Sequence, residues 1–208
     1  VFTMFAVYAL ARWIGGGTIL TLILAGLAIS AFAEAWIGLM RFLADDAQLR
    51  DMTFWQLGSL GGANATRVAL AFGICVLAAC LLFPSARALN AMALGEEDAG
   101  FLGISVRKTE RMVLIGAALA VGASVAFCGV IAFIGLMVPH LVRLLIGPDH
   151  RILLPASGLA GGLLLLWSDG LARNLAAPAE IPVSVITATL GAPFIIWLMI
   201  RQGKKQKL

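Results

Sequence analysis

The chain has 208 residues, of which 61% are hydrophobic and only 12% charged, with a net charge of +4 and a mean hydropathy of +0.99. Soluble domains carry about 25% charged residues, and so few polar groups cannot cover a core of this apolarity in water. The composition excludes a water-soluble globular fold. The basic excess is no nucleic-acid signature either, because it falls in short segments that flank apolar blocks.

Taken in chain order, residues 2–10 read as the end of a membrane span too short to cross by itself. The chain begins inside this apolar stretch, and the expectation is the C-terminal part of a longer membrane protein. Residues 14–33 form a full block. Residues 68–86 and 181–200 contain no Asp, Glu, Lys, Arg or His, and each matches the roughly 20 residues that cross about 30 Å of hydrocarbon. Residues 152–168 make a slightly shorter block. The stretch 112–142 would rise about 46 Å as one helix, too far for a single span. Cys128 and Gly129 interrupt it near its middle, and Pro139 lies toward its far end. The reading is a helix to about Phe127, a tight turn, and a short second helix over 131–146. The fold class is therefore all-α, a polytopic transmembrane helical bundle with about six membrane segments, the first incomplete.

Two connections are long enough to have a role. Residues 44–66 carry Asp45, Asp46 and Asp51 against Arg50. Residues 85–106 hold a short amphipathic helix: Gly95 breaks the chain before it, Glu96, Glu97 and Asp98 suit its first turn, and Gly103 suits its stop. Ala99 and Leu102, three apart, are expected to project one apolar face. Such a helix can lie on the membrane or dock into a soluble partner, and the residues leave both open.

With loops alternating between sides, Arg12, Arg87, Arg107, Lys108, Arg111, Arg143, Arg151, Arg201, Lys204, Lys205 and Lys207 fall together. Arg41, Arg50, Arg67 and Arg173 face them from the other side. The positive-inside rule makes the larger set cytoplasmic, with the C-terminus. The lysine tail reads as a topology anchor, contact with anionic membrane lipid being the other reading.

No catalytic constellation is present. Gly15-Gly16-Gly17-Thr18 lacks the lysine of a phosphate-binding loop, so energy from nucleotide has to come through another subunit. His140 and His150 stand ten apart, which makes no metal pair on one helical turn. His140, after Pro139 near a helix end, reads as a hydrogen-bonded structural residue. Cys75, Cys80 and Cys128 lie in apolar segments as small hydrophobes. Glu34, Asp169 and Arg173 are the ionisable groups within spans, all toward their ends, and Asp169 and Arg173 can pair at i,i+4. So thin a supply of mid-membrane charge weighs against an ion-coupled carrier. Gly158, Gly161 and Gly162, with Gly116, Ala120 and Ser124, permit close helix packing.

From residue 94 onward the chain resembles the permease family of type II ABC importers for siderophores, haem and cobalamin, the FecCD-like permeases. The matching blocks run in order. They are Leu94-Gly95-Glu96-Glu97 with Ala99, Leu102, Gly103 and Ile104, then the run from Gly129 through Pro139-His140 to Arg143. The run from Gly147-Pro148-Asp149-His150 to Pro155 follows, then Asp169 with Ala172-Arg173, Glu180-Ile181-Pro182, and the run from Thr187 to Phe194. The run from Leu22 to Ser30, and Asp45 with Gln48-Leu49-Arg50, extend the likeness upstream. Departures are Ala88 where the family often has Pro, no Trp around Asn64-Ala65-Thr66, and Val183-Ser184 where Gly is frequent.

The resemblance implies that residues 1–208 are the C-terminal part of one ten-helix permease domain in the bacterial cytoplasmic (inner) membrane. It implies a homodimer, an ATP-binding cassette dimer beneath it and a periplasmic or lipid-anchored substrate-binding protein above it. No cofactor is expected in this chain, ATP being bound by the partner. Residues 85–106 become the coupling loop, with Leu94, Gly95, Glu96, Glu97, Ala99, Leu102 and Gly103 at the ATPase contact. Arg173 becomes a candidate for binding-protein docking, its pairing with Asp169 being the other reading. Thr18, Ile19 and Leu20 fall where the family places a cytoplasmic gate. The alternatives are an ion-coupled secondary transporter and a truncated, non-transporting membrane protein.

Overall fold

The computed structural model describes residues 2–15, 19–175 and 181–205, and every regular element among them is helical. In order they are α1 (Phe2–Gly15), α2 (Ile19–Leu43), α3 (Asp46–Gln56), α4 (Ala65–Leu82), α5 (Ala86–Met92) and α6 (Glu96–Phe101). There follow α7 (Val106–Cys128), α8 (Ile134–Ile146), α9 (His150–Leu175) and α10 (Val183–Lys205). Among the described residues, five helical runs, α2, α4 continued through α5, α7, α9 and α10, are long and apolar enough to cross a membrane. Their outward side chains, among them Phe72, Leu163, Leu166 and Trp167, are exposed, as lipid-facing residues are. The chain is a multi-pass membrane protein.

Two compact units divide within α3, one ending at Thr53 and the other starting at Phe54. In the first, α1 packs on α2, and the small side chains of Ala11 and Ala25 are buried. The polar connection 44–66, read as a loop, contains α3. Its start is a capping box: Gln48 N–H donates to Asp45 Oδ1 (2.8 Å) and Asp45 N–H to Gln48 Oε1 (3.3 Å), which satisfies two donors that a helix start leaves open.

In the second unit, α4 starts on Asn64, whose Oδ1 accepts from Arg67 N–H (2.8 Å). It packs against α7, where Gly116 lets the backbones approach: a Cβ there would lie 2.8 Å from Leu82 Cγ. α8 and α9 enclose a small core of Val138, Val142 and Leu153, flanked by Ile134, Ala156, Ala160 and Leu164. The expectation of close packing through small residues holds at Gly116 and at Gly161, which faces Ile134. At Gly158 and Gly162 an added Cβ would meet nothing within 4 Å outside the local helix, and Ser124 is exposed, so no packing partner within the described residues uses these positions.

The break between α7 and α8 is longer than the tight turn expected. Residues 129–133 are non-helical, Phe133 is left-handed (φ 67°), and α8 starts at Ile134 rather than near 131. Irregular backbone in a bilayer must find its partners within the protein, and two carbonyls at this break find theirs in other parts of the chain. Ser59 N–H donates to Cys128 O (2.9 Å) and Ser184 Oγ to Val130 O (2.6 Å). Gly129 (φ 72°) lies so close to Trp55 and Gly58 that a Cβ would overlap the Trp55 carbonyl. His140 sits mid-way along α8, not near its end, and its Nδ1 donates to Leu136 O (3.0 Å).

Hydrogen bonds sort the helix ends of this unit. Gly58 O accepts from Val183 N–H (3.3 Å) and Ala172 O from Ile181 N–H (3.3 Å), so these segments share an end with residues 128–130. At the opposite end Asn90 bonds to Asp149 and His150. Arg87, Arg143 and Arg151 therefore lie at one end and Arg173 at the other, as loop alternation predicts.

Candidate functional site

The connection 85–106 carries two helices where one was expected. α4 runs through a 3-10 turn (Phe83–Ser85) into α5, and Ser85 Oγ returns its hydroxyl proton to Leu81 O (3.0 Å). Pro84 stands in the first turn of this 3-10 segment, where its fixed φ is compatible with the helical backbone. A tight reversal follows: Ala93, Leu94 and Gly95 N–H donate to Leu89, Ala91 and Met92 carbonyls (3.0, 3.0 and 3.2 Å).

α6 is bounded by the two glycines singled out in the sequence. Gly95, its N-cap, has φ 139° and ψ 147°, a region closed to L side chains. Glu96, Glu97 and Asp98 fill the first turn, where the helix dipole favours negative charge. At the far end Gly103 is left-handed (φ 79°), with Gly103 N–H bonded to Gly100 O and Ile104 N–H to Ala99 O (3.0 Å each). That pair of bonds is a Schellman stop, which requires a residue tolerant of positive φ at Gly103.

The apolar face expected from Ala99 and Leu102 does not form as one surface. Ala99 is fully buried, 0% exposed, on the side of α6 that seats the helix. Leu102 is the C-cap, past the last helical residue, and is 66% exposed. Three-residue spacing places two side chains on one face only while the helix continues, and here it has ended. Leu102 instead joins Leu94 (72% exposed) and Phe101 (90% exposed) as an outward apolar set beside the acidic turn. Phe101 was missed in the sequence; the signal was an aromatic immediately before the Leu-Gly stop of a six-residue helix too short to bury it.

The element is held to the membrane helices by polar contacts. Asn90 Nδ2 donates to Asp149 Oδ1 (2.6 Å), and Asn90 Oδ1 accepts from His150 N–H (2.9 Å) and His150 Nδ1 (2.7 Å). Asp149 also caps α9, taking Arg151 N–H on Oδ1 (2.9 Å). The Arg151 N–H first, then the Asn90 amide, hold the Asp149 carboxyl below its usual range.

The other named positions are apart from this element in sequence. Arg173 Nε donates to Asp169 Oδ2 (2.8 Å), with side-chain exposures of 44% and 17%; the i,i+4 pair is formed. Of the residues at the proposed gate, Thr18 and the side chain of Ile19 lie outside the described residues, and Leu20 is exposed at the start of α2. Glu180 likewise lies outside them.

Comparison with known proteins follows from this geometry. The model of the FecCD transport family matches residues 1–201. The hemin transport system permease protein HmuU of Yersinia pestis is 45% identical over 201 residues, 96% of this chain and 60% of that protein. The cobalamin import system permease protein BtuC of Halobacterium salinarum is 40% identical over 195 residues (94% and 52%). The iron(3+)-hydroxamate import system permease protein FhuG of Bacillus subtilis is 38% identical over 197 residues (95% and 58%). A solved structure assigned to a metal-chelate type ABC transporter, in an inward-facing conformation, superposes with a TM-score of 0.85 at 32% identity. That match covers 93% of this chain and 63% of the other. The chain thus spans between about half and three fifths of the curated relatives it matches.

Proposed function

This chain belongs to the FecCD transport family, and on that premise we propose that it is the C-terminal part of the permease subunit of an ATP-driven, binding-protein-dependent importer. Its cargo is an iron-siderophore complex, haem or cobalamin. The relatives named for hemin, cobalamin and iron-hydroxamate support that cargo class. The protein sits in the bacterial cytoplasmic membrane with its C-terminus inside, and two copies form the pathway. A periplasmic or lipid-anchored binding protein delivers the cargo.

The permease performs no covalent chemistry. ATP is bound and hydrolysed by a partner dimer, and its closure has to reach the membrane through a contact that differs between states. The observation that carries this reading is the α5–α6 element. Its Ala99 face is buried while Leu94, Phe101 and Leu102 point away from the chain beside three acidic side chains. A short helix with exposed leucine and phenylalanine, set between two glycine stops, suits insertion into a cleft of a soluble subunit. Burying an exposed leucine or phenylalanine contributes about 1.5–3 kcal/mol. Gly95 and Gly103 set where the helix starts and stops, and so where those side chains point. Arg173 at the opposite end offers a cation to an acidic residue of the binding protein, and Thr18, Ile19 and Leu20 belong to the cytoplasmic gate.

The test is co-purification of the full-length permease with the ATPase subunit of its importer, with and without Leu102→Asp. Loss of the ATPase from the variant at equal membrane expression is the expected result. A wild-type permease that holds no ATPase would sink the importer reading and leave ion-coupled transport or a non-transporting protein to be tested.

A further inference from the structure

The docking element is joined to the bundle by the chain at both ends and, across the sequence, by Asn90. The covalent ties are the 3-10 turn from α4 into α5 and residues 102–105 from α6 into α7. The Asn90 tie crosses roughly 60 residues of sequence to the start of α9.

Asn90 is suited to this place by the chemistry of its amide. A helix start leaves its first N–H groups without partners. Asp149 takes that of Arg151, and the N–H of His150 goes to Asn90 Oδ1 instead. The same oxygen faces His150 Nδ1 at 2.7 Å, so the imidazole carries its proton there and donates. The amide nitrogen then points at the Asp149 carboxylate at 2.6 Å. Flipping the amide would set N–H against N–H and oxygen against carboxylate, so one orientation satisfies all three contacts. Asn90 thereby caps α9 from another helix.

We propose that Asn90 is a positioning residue for energy coupling: its clasp on Asp149 and His150 makes α4 and α9 move together when a partner displaces α6. The inference rests on the importer reading above. Without the clasp, a push on α6 would still pass along the chain to α4 and α7 and through the packing of α5 on α9, but the start of α9 would lose its hydrogen-bonded hold on α5. Coupling would weaken while the exposed docking residues stayed in place.

The test uses the full-length permease with its ATPase in liposomes and reads cargo moved per ATP hydrolysed. Asn90→Asp keeps the shape but sets a carboxylate against Asp149. It should still hold the ATPase, while transport per ATP falls about tenfold, the scale of one hydrogen bond to a charged group. Asn90→Ala removes all three contacts without adding a charge and should show the same loss with the ATPase still held. Either variant moving cargo per ATP within about twofold of wild type overturns the proposal. If Asn90→Asp does not accumulate, Asn90→Ala decides the matter on the same criterion. Amide exchange over residues 148–154 of the full-length permease reads the contact without any ATPase. Faster exchange in Asn90→Asp is expected, and unchanged exchange overturns the clasp. A wild type that holds no ATPase overturns the importer reading, and the coupling role with it, whatever the exchange shows.

Discussion

The Cβ and ring of Phe133 occupy the space that a side chain at residue 191 would need, so the left-handed turn before α8 is packed on the bare backbone of Gly191 in α10. A non-glycine residue held at φ 67° is costly by itself, and the Gly191 contact is what accommodates its ring. Gly191→Ala is expected to destabilise the full-length permease by about 1–3 kcal/mol through overpacking. Thermal unfolding in detergent checks this, with Gly122→Ala as the control. A Cβ added at Gly122, within α7, would meet nothing within 4 Å outside its own helix turn, so the control should be neutral or slightly stabilising.

Ser184 should matter for the same turn. Its hydroxyl donates to Val130 O at 2.6 Å, within a segment that has no helical partner for that carbonyl. Ser184→Ala leaves the carbonyl without this donor, at a cost of about 1–3 kcal/mol. The expected readout is a lower unfolding temperature and faster amide exchange across residues 128–134.

The two glycines of the docking element should respond differently to substitution. Gly103→Asn places a residue that tolerates left-handed backbone at φ 79°, in open space, and should leave ATPase capture near wild type. Gly95→Ala forces an L side chain into φ 139° and should shift the start of α6, with loss of capture. Equal behaviour of the two variants would show that the helix limits do not direct the contact.

Ala99 and Phe101 separate seating from docking. Ala99→Leu has no space at a fully buried position and should lower stability by about 1–3 kcal/mol. Phe101→Ala removes a side chain that is 90% exposed. Unfolding should then be unchanged within about 0.5 kcal/mol, while affinity for the ATPase falls about thirtyfold, as for a central interface aromatic. Binding and melting measured on both variants decide the matter.

Arg173→Ala tests the opposite end. The side chain is close to half exposed, so its pair with Asp169 stabilises by about 1 kcal/mol at most. Melting should barely change, while capture of the binding protein weakens. Asp169→Asn should leave capture near wild type. Equal losses from both variants would assign the pair a structural role only.

Much of the architecture was legible because it is written within one helical turn or one bilayer thickness. Unbroken apolar runs mark the spans. Gly95 and Gly103 mark the limits of α6, and Asp169 with Arg173 forms the pair that their spacing allows. α3 was legible too, in Asp45-x-x-Gln48, but its polar surface hid it from a reading led by hydropathy.

What the sequence by itself determined is local: which segments are too apolar for water, where helices can start and stop, and the FecCD-like order of motifs. Tertiary structure alone decided that Ala99 turns inward while Leu102 turns out, since that depends on the helix ending before Leu102. It decided that Phe133 is left-handed, because only the approach of α10 supplies a bare glycine to receive its ring. It also brought Asn90 to Asp149 and His150. Hydrogen bonds act over about 3 Å, and no spacing rule links residues that far apart in sequence until packing has placed their helices side by side.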